Sequence, residues 1–225
     1  MQAAERDAAF LQEHGYALQW LRRSPLIYTV LVERGGETTK LEWVVDSDFR
    51  FFPTIRDELF GYVLHPVDLA TNKVAAAYGR REPRDVVDLV TIHERILPLG
   101  AVVCASVGKT LGFTPEGVIN EIRRTARYTA ADFRRVAGDP PIDPAATMTR
   151  LREILAEAEA FVTRIPTDKV GLLFLKEGHA VQPDPERLED YQTHAGQRRG
   201  QWPTSAEISA AMLEHYRTRP NYRKG

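Results

Sequence analysis

The chain has 225 residues, of which 43% are hydrophobic, and its formal net charge at pH 7 is −1. A chain of this length can bury a substantial apolar core, as one compound domain or as two small ones. Its one cysteine excludes an internal disulfide, and it has neither an apolar run long enough to span a membrane nor a signal-peptide pattern at its start, so a cytoplasmic location is the default expectation.

The first part of the sequence has the pattern of a helix followed by a small sheet. Apolar residues recur with helical spacing over 3–13, which predicts a short amphipathic helix. Three strand-like segments follow at 16–21, 26–33 and 38–46. Gly35 and Gly36 separate the second segment from the third, and a pair of glycines at this point favours a tight hairpin.

The third of these segments alternates between apolar and polar residues. Leu41, Trp43 and Val45 are predicted to face one side of the strand, and the carboxylates Glu42 and Asp46 the other. One face is therefore expected to be packed, and the opposite face is free to carry chemistry.

The remainder of the chain is predicted to be mainly helical. A short strand at 61–65 leads into a helix over 67–78, and a second helix runs over 83–96 from a proline suited to a first helical turn. Further helices are expected at 101–111, 115–128, 130–136, 144–165 and 205–216. A strand is expected at 169–175, whereas the polar stretch 181–200 is expected to be irregular.

The most specific pattern spans two of these helices, from Asp68 to Asp88. It reads Asp-Leu-Ala-Thr-Asn-Lys, then Arg80 and Arg81 at the turn, then Arg-Asp-x-x-Asp at the start of the second helix. This pattern resembles the nucleotidyltransferase-like AbiEii/AbiGii toxin family, whose members share Asp-Leu-Ala-x-x-Lys, then Arg, then Arg-Asp-x-x-Asp. The resemblance covers roughly residues 16–94 well and the rest of the chain loosely.

The resemblance implies an α+β fold. A partial nucleotidyltransferase-type mixed sheet would occupy a domain over 1–98, and a mainly helical C-terminal domain would occupy 99–225. The implied activity is transfer of a nucleotide from a nucleoside triphosphate (NTP) to an acceptor hydroxyl, with transfer RNA or another RNA as a candidate acceptor. The resemblance also implies Mg²⁺ as the metal and a cognate antitoxin protein as a partner, without any association with a membrane.

The basic residues of the pattern suit a nucleotide. Nucleotidyl transfer needs carboxylates that hold magnesium over the α-phosphate, and a cation that neutralises the triphosphate. Lys73 fits the second role, as a point charge on a long stem. Arg80, Arg81 and Arg84 are further candidates for nucleotide binding.

The acidic residues of the pattern allow two interpretations. Asp85 and Asp88 are three positions apart and therefore share one face of the second helix, as a catalytic pair would. They also lie in its first turn, where carboxylates stabilise the helix dipole and can pair with a nearby arginine. Our interpretation is that they orient Lys73 or an arginine toward the nucleotide.

A further carboxylate is expected on the predicted sheet. In the wider nucleotidyltransferase fold, a third carboxylate stands on the strand that follows the one bearing the catalytic pair. Glu42 or Asp46 fits this position, and the alternative is an edge strand with a solvent-exposed face.

The sequence departs from the family at its front. Family enzymes begin with Gly-Gly or Gly-Ser, a helix, and Asp-x-Asp on a strand whose aspartates hold the metals, and no such pattern precedes Ala3. A start further upstream, a shortened inactive member and a piece cut from a longer protein are the three explanations. The second hypothesis is accordingly a catalytically inactive protein that retains the fold and binds nucleotide, RNA or an antitoxin.

Two short motifs in this chain have the spacing of the family's missing N-terminal motif. Gly35 and Gly36 are followed by Asp46-Ser-Asp48, so that Asp46 and Asp48 are the candidate metal ligands. The residues between alternate like a strand rather than a helix, and Ser47 replaces the usual apolar residue, which argues against this assignment.

Other patterns in the sequence give weaker indications of function. Gly108-Lys109-Thr110 resembles the end of a phosphate loop but lacks the first glycine and follows a helix, so we reject it. Structural or surface roles are expected of four scattered histidines, namely His65, His93, His179 and His194. A third hypothesis is an RNA-binding module that uses the basic C-terminus, with Arg198 and Arg199 as its test residues.

Overall fold

The protein folds into helices and small antiparallel sheets. The structure is a computed structural model that describes residues 2–45, 47–58, 61–109, 112–136, 138 and 141–198. The helices of these residues are α1 (Gln2–Glu13), α2 (Pro66–Gly79), α3 (Pro83–Arg95), α4 (Leu99–Ser106), α5 (Pro115–Thr125) and α6 (Pro144–Val162). The strands are β1 (Ala17–Arg23), β2 (Ile27–Arg34), β3 (Glu37–Val44), β4 (Ile55–Asp57), β5 (Gly61–Val63), β6 (Leu172–Lys176), β7 (His179–Val181) and β8 (Gln192–Ala195). The α+β class predicted from the sequence is confirmed.

The chain divides into two compact units. The first unit comprises Met1–Asp48 and the second comprises Phe49–Gly225. The boundary predicted after residue 98 falls inside the second unit. Helices from both sides of that position, α3 and α4, pack against the same helix, α6.

The first unit is a helix and a three-stranded sheet. The sheet is antiparallel in the order β1-β2-β3. Gly35 and Gly36 have φ values of +62° and +83°, which a tight hairpin requires and which glycine adopts without a Cβ clash. Trp43 Nε1 donates a hydrogen bond of 3.0 Å to Asp7 Oδ2 and thereby ties α1 to β3. The predicted hairpin is confirmed.

The two faces of β3 differ as the alternation predicted. Leu41 and Trp43 are half-buried, whereas Glu42 is exposed. Val45 was expected on the packed face, but it is 62% exposed. Its position differs because β3 ends at Val44, and alternation holds only within the strand.

The second unit has α4 at its centre. Every residue of α4 is buried, and its sequence Leu-Gly-Ala-Val-Val-Cys-Ala-Ser contains no charge, as a helix covered on all sides requires. It packs against α2, α5, α6 and β6. The helix predicted at 144–165 is α6, and its buried face consists of Leu151, Ile154, Leu155, Ala158, Phe161 and Val162, which recur with helical spacing.

Two sheets complete the second unit. β4 and β5 form a hairpin, and β6 lies between β7 and β8 in a three-stranded antiparallel sheet. The prediction that 181–200 is irregular is therefore wrong for β8, whereas no strand lies within 182–191. The short strands β7 and β8 have little pattern of their own and are set by pairing on the two sides of β6.

Two predicted helices are shorter than expected. The segment 130–136 contains only a 3₁₀ turn at Asp132–Arg135, which Asp132 closes by accepting a hydrogen bond from the Thr129 backbone N–H at 2.7 Å. The helix expected over 101–111 is α4, which is followed by a 3₁₀ turn at Val107–Lys109. The helix expected over 205–216 lies outside the described residues.

Gly108 marks a close approach between two backbone segments. A Cβ atom on Gly108 would lie 2.6 Å from the carbonyl oxygen of Gly171, whose N–H donates to the Cys104 carbonyl at 2.9 Å. We expect Gly108→Ala to lower the free energy of unfolding by about 1–3 kcal/mol, because overpacking forces the backbone apart. Urea denaturation followed by circular dichroism measures this loss. Gly79→Ala is the matched control, since nothing lies within 4 Å of its Cβ, and an equal loss in both variants would contradict the packing argument.

Candidate functional site

The charged residues of the Asp68–Asp88 pattern meet where α2 and α3 pack together. Lys73 Nζ lies 2.6 Å from Asp88 Oδ2 and bridges the two helices. At the turn between them, Arg80 donates from Nε and Nη2 to the two oxygens of Asp85, at 2.9 and 2.8 Å. Residues that are 15 positions apart in the sequence thus form one cluster.

The Arg80–Asp85 pair is built into the fold. Asp85 is only 2% exposed and lies in the first turn of α3, where a carboxylate also stabilises the helix dipole. Its hydrogen bond raises the pKa of Arg80 above the ordinary value, and burial acts in the opposite direction. A bidentate arginine–carboxylate pair fixes geometry as well as charge. Asp85 therefore holds Arg80 in one orientation at the end of α2.

The Lys73–Asp88 pair is more open. The two side chains are 23% and 27% exposed, and Arg84 Nε lies 4.0 Å from the same oxygen of Asp88. Asp88 therefore stands between two cations, of which Arg84 is 66% exposed. An anion that approaches from solvent can reach Lys73 and Arg84 together.

Arg81 has different partners. Its Nη2 donates at 2.6 Å to the backbone carbonyl of Arg127, which follows α5. Its guanidinium carbon lies 5.6 Å from the ring centroid of Tyr128. Arg81 thus links the α2–α3 turn to the segment after α5.

Asp68, the first residue of the pattern, has a structural role that the sequence analysis did not assign. It is completely buried, and its two oxygens accept hydrogen bonds from the backbone N–H groups of Phe51 and Phe52, both at 2.9 Å. Burial raises the pKa of Asp68, although those two N–H groups act to lower it. Asp68 therefore anchors α2 to the segment that opens the second unit.

Lys109 belongs to the same buried network. Its Nζ donates to Asn72 Oδ1 at 2.6 Å and lies 3.9 Å from Asp68 Oδ1, and the lysine side chain is only 5% exposed. The phosphate loop was rejected because a helix was expected before Gly108 and Lys109. The structure has that helix, α4. The sequence signal for this buried network was that Asp68 opens the Asp68–Asp88 pattern. The residues around Lys109 gave no sign that its side chain would be buried.

His65, His93 and His194 make contacts with the backbone. Nδ1 of His65 accepts from the Val67 N–H that opens α2, at 3.2 Å, and Nδ1 of His93 accepts from the Leu99 N–H that opens α4, also at 3.2 Å. His194 Nε2 lies 2.6 Å from the carbonyl oxygen of Phe51. These contacts support the structural roles expected of them.

The candidate carboxylates of the sheet belong to the first unit. Glu42 is exposed on β3, where it lies 3.3 Å from Lys40 Nζ and accepts from the Thr29 hydroxyl at 3.4 Å. Asp48 is exposed, and Asp46 lies outside the described residues. Arg198 is exposed as well, whereas Arg199 is not described.

The residues that the structure describes do not fit a magnesium site. None of them forms a group of three or more His, Cys, Asp or Glu side chains that could hold a metal. Asp85 and Asp88 are directed at Arg80 and Lys73 and do not converge on a common point with a third carboxylate. No catalytic step is therefore assigned to a metal held by these residues.

An apolar cavity of about 210 Å³ lies beside α2 in the second unit. It is lined by Val74, Ala75, Tyr78, Ser106, Val107, Phe113 and Val118. These residues carry no charge, so the cavity is unsuited to a triphosphate, and the cations of the α2–α3 cluster are the better candidates.

Comparisons with known proteins do not identify the chain. No protein-family model matches it, and no curated protein and no solved structure matches it significantly. None of the helices in the described part of the chain is long and apolar enough to cross a membrane.

Proposed function

We propose that the chain is a nucleotidyltransferase-like protein of the AbiEii/AbiGii toxin family, which transfers a nucleotide from an NTP to an acceptor hydroxyl, with RNA such as transfer RNA as the acceptor. The observation that carries the proposal is the convergence of Lys73, Arg84 and Asp88 across α2 and α3. The resemblance rests on these spaced residues, and a family site requires them to lie together. A cognate antitoxin is part of the same proposal.

The cluster supports binding of a triphosphate. Lys73 and Arg84 share one carboxylate, so two positive charges face one negative charge at a surface that solvent reaches. A phosphate oxygen that displaces the Asp88 carboxylate from Lys73 would form charge-assisted hydrogen bonds with the lysine. Before the nucleotide arrives Asp88 neutralises Lys73, and it is the group with which a phosphate must compete.

Buried residues next to this site hold α2 and Arg80 in fixed positions. Asp85 holds Arg80, and Asp68 anchors α2 one turn before Lys73. A charged side chain on a rigid helix loses less entropy when it binds a phosphate. The proposed nucleotide site is therefore the surface formed by Lys73 and Arg84, with Arg80 and Asp85 in supporting roles.

A second candidate function is binding without transfer. It is favoured by two ion pairs: Asp85 binds Arg80, and Asp88 binds Lys73. Neither carboxylate is therefore directed at a metal. Such a protein would use the same cluster to bind an NTP, an RNA or an antitoxin.

An assay of nucleotide transfer separates the two functions. The purified protein is mixed with each of the four α-labelled NTPs, Mg²⁺ and total transfer RNA, and labelled RNA is resolved on a denaturing gel. Transfer predicts label on RNA that disappears when the metal is chelated. Equilibrium dialysis with the same NTPs detects binding, so that binding without label would support the second function in its nucleotide-binding form, and absence of both would contradict transfer and nucleotide binding alike.

A further inference from the structure

A surface rich in arginine lies next to the proposed nucleotide site. The segments 80–88 and 127–135 contain six arginines and four acidic residues, in a chain whose net charge is −1. Two of these acids are already engaged, since Asp85 is buried with Arg80 and Asp88 lies against Lys73. When the paired Arg80 and Asp85 are set aside, and Asp88 is counted with Lys73, five arginines remain beside two acids, Glu82 and Asp132.

The two segments form one surface. Arg81 donates to the Arg127 carbonyl at 2.6 Å and lies over Tyr128. The Tyr128 ring meets the ring of Phe133 edge-on, with centroids 6.1 Å apart, and Phe133 is buried. The 3₁₀ turn that contains Phe133 also packs against α3. We call residues 80–84 and 127–135 the arginine surface.

Three arginines of this surface have little competition for a ligand. Arg84 is 66% exposed and has only the 4.0 Å contact with Asp88. Arg127 and Arg134 are exposed, and neither side chain lies in an ion pair with a carboxylate among the described residues. Asp132, the acid nearest to Arg127 and Arg134 in sequence, accepts hydrogen bonds from the backbone N–H and the hydroxyl of Thr129 at 2.7 and 2.8 Å, and its charge also interacts with Arg81 and Arg134 without an ion-pair contact.

We propose that the arginine surface binds the sugar–phosphate backbone of a single-stranded nucleic acid. A guanidinium group offers a fork of N–H donors that matches a phosphate, and several of them in one surface match a chain of phosphates. Arg81, held by a carbonyl and an aromatic ring, keeps its remaining donors in a fixed direction. This inference rests on the proposed function, to which it adds the place where the acceptor strand lies.

The chemistry of the surface favours a nucleic acid over a protein partner. Interfaces between proteins have an apolar core inside a polar rim. The large hydrophobic side chains exposed in the described part of the chain are Phe10, Leu21, Leu26, Val44, Val45 and Leu69, and none of them belongs to the arginine surface. Its exposed residues offer charge and hydrogen-bond donors instead.

Fluorescence anisotropy tests this proposal without any NTP. The probes are end-labelled RNA and DNA single strands of the same mixed sequence, roughly 16 nucleotides long, titrated from about 50 to 200 mM salt. The variant Arg127→Ala/Arg134→Ala, which leaves Lys73 and Arg84 unchanged, is expected to bind at least about tenfold more weakly at the lowest salt. The slope of log K against log salt should fall by about 1.4, since each phosphate contact of a single strand contributes about 0.7.

The matched control removes two exposed arginines elsewhere in the second unit. Arg152→Ala/Arg164→Ala changes the net charge equally, on and just after α6, and is expected to keep both affinity and slope. Equal losses in the two double variants, or no binding of either strand at the lowest salt, would overturn the proposal. Tighter binding of the RNA strand supports an RNA acceptor, and tighter binding of the DNA strand supports the surface but contradicts that acceptor. Label transfer without binding by this surface would leave the proposed function standing and remove only this inference.

Discussion

Replacement of Asp68 by alanine is expected to lower the free energy of unfolding by about 3–5 kcal/mol. The change leaves the N–H groups of Phe51 and Phe52 without an acceptor, and each unsatisfied buried group costs about 1–3 kcal/mol. It also leaves the buried Lys109 without the nearby negative charge of Asp68. The loss arises entirely in the second unit, which α2 and Phe51 share.

Circular dichroism during urea denaturation measures this loss, because α2 to α6 all lie in the second unit. Fluorescence of Trp20 and Trp43, measured in a Trp202→Phe background, follows the first unit in the same samples. Asp68→Asn retains one carbonyl acceptor and should lose roughly half as much, which keeps the prediction testable if the alanine variant fails to fold. Asp168→Ala, at a carboxylate that is 70% exposed, is the surface control. A loss no larger than that of this control would refute the anchoring role of Asp68.

The pH dependence of stability gives a second measure of the same carboxyl group. Burial raises the pKa of Asp68 above its ordinary value of 3.8, so the folded chain holds this proton more tightly than the unfolded chain does. Protonation of Asp68 therefore adds stability that is fully present below 3.8 and is lost as pH rises through the raised pKa. Asp68→Asn cannot titrate, and the difference between wild type and variant should show this slope.

The sequence predicted most of the helices because their determinants are local. Proline at the first position and capping side chains such as Thr114 and Asp143 mark the starts of α5 and α6, and helical spacing marks their buried faces. β7 and β8 could not be predicted in this way. They are only three and four residues long, and their conformation depends on β6, which pairs with both.

The candidate site was predicted in the same uneven way. Lys73, Asp85 and Asp88 were recognised because their spacing forms a pattern on two consecutive helices, and the structure brings Lys73 and Asp88 into contact. The partners of Asp68 lie 16 and 17 positions earlier in the chain and are backbone groups, which leave no trace in residue identity. Burial of Lys109 likewise depends on how α2 packs near the end of α4. The roles of Glu42 and Asp48 as catalytic or metal-binding residues stay predictions.

Lys73→Ala is expected to weaken NTP binding about tenfold to a hundredfold. A hydrogen bond between a charged donor and a charged acceptor contributes about 1.5–3 kcal/mol, and the triphosphate would lose this bond with the lysine. Equilibrium dialysis or calorimetry with the NTP that binds best measures the change. Lys169→Ala is the matched control, because Lys169 is also a partly exposed lysine paired with an aspartate, Asp168, at 3.2 Å.

Asp88→Asn distinguishes a phosphate site from a purely structural ion pair. The asparagine variant no longer neutralises Lys73, so a site that binds triphosphate should bind it as tightly as wild type or more tightly. A structural pair predicts something else: Lys73→Ala and Asp88→Asn would lower stability by similar amounts and leave NTP binding unchanged in both. Opposite effects of the two variants on affinity can arise only if the lysine faces the ligand and the aspartate competes with it, because a shared structural role makes both substitutions act in the same direction.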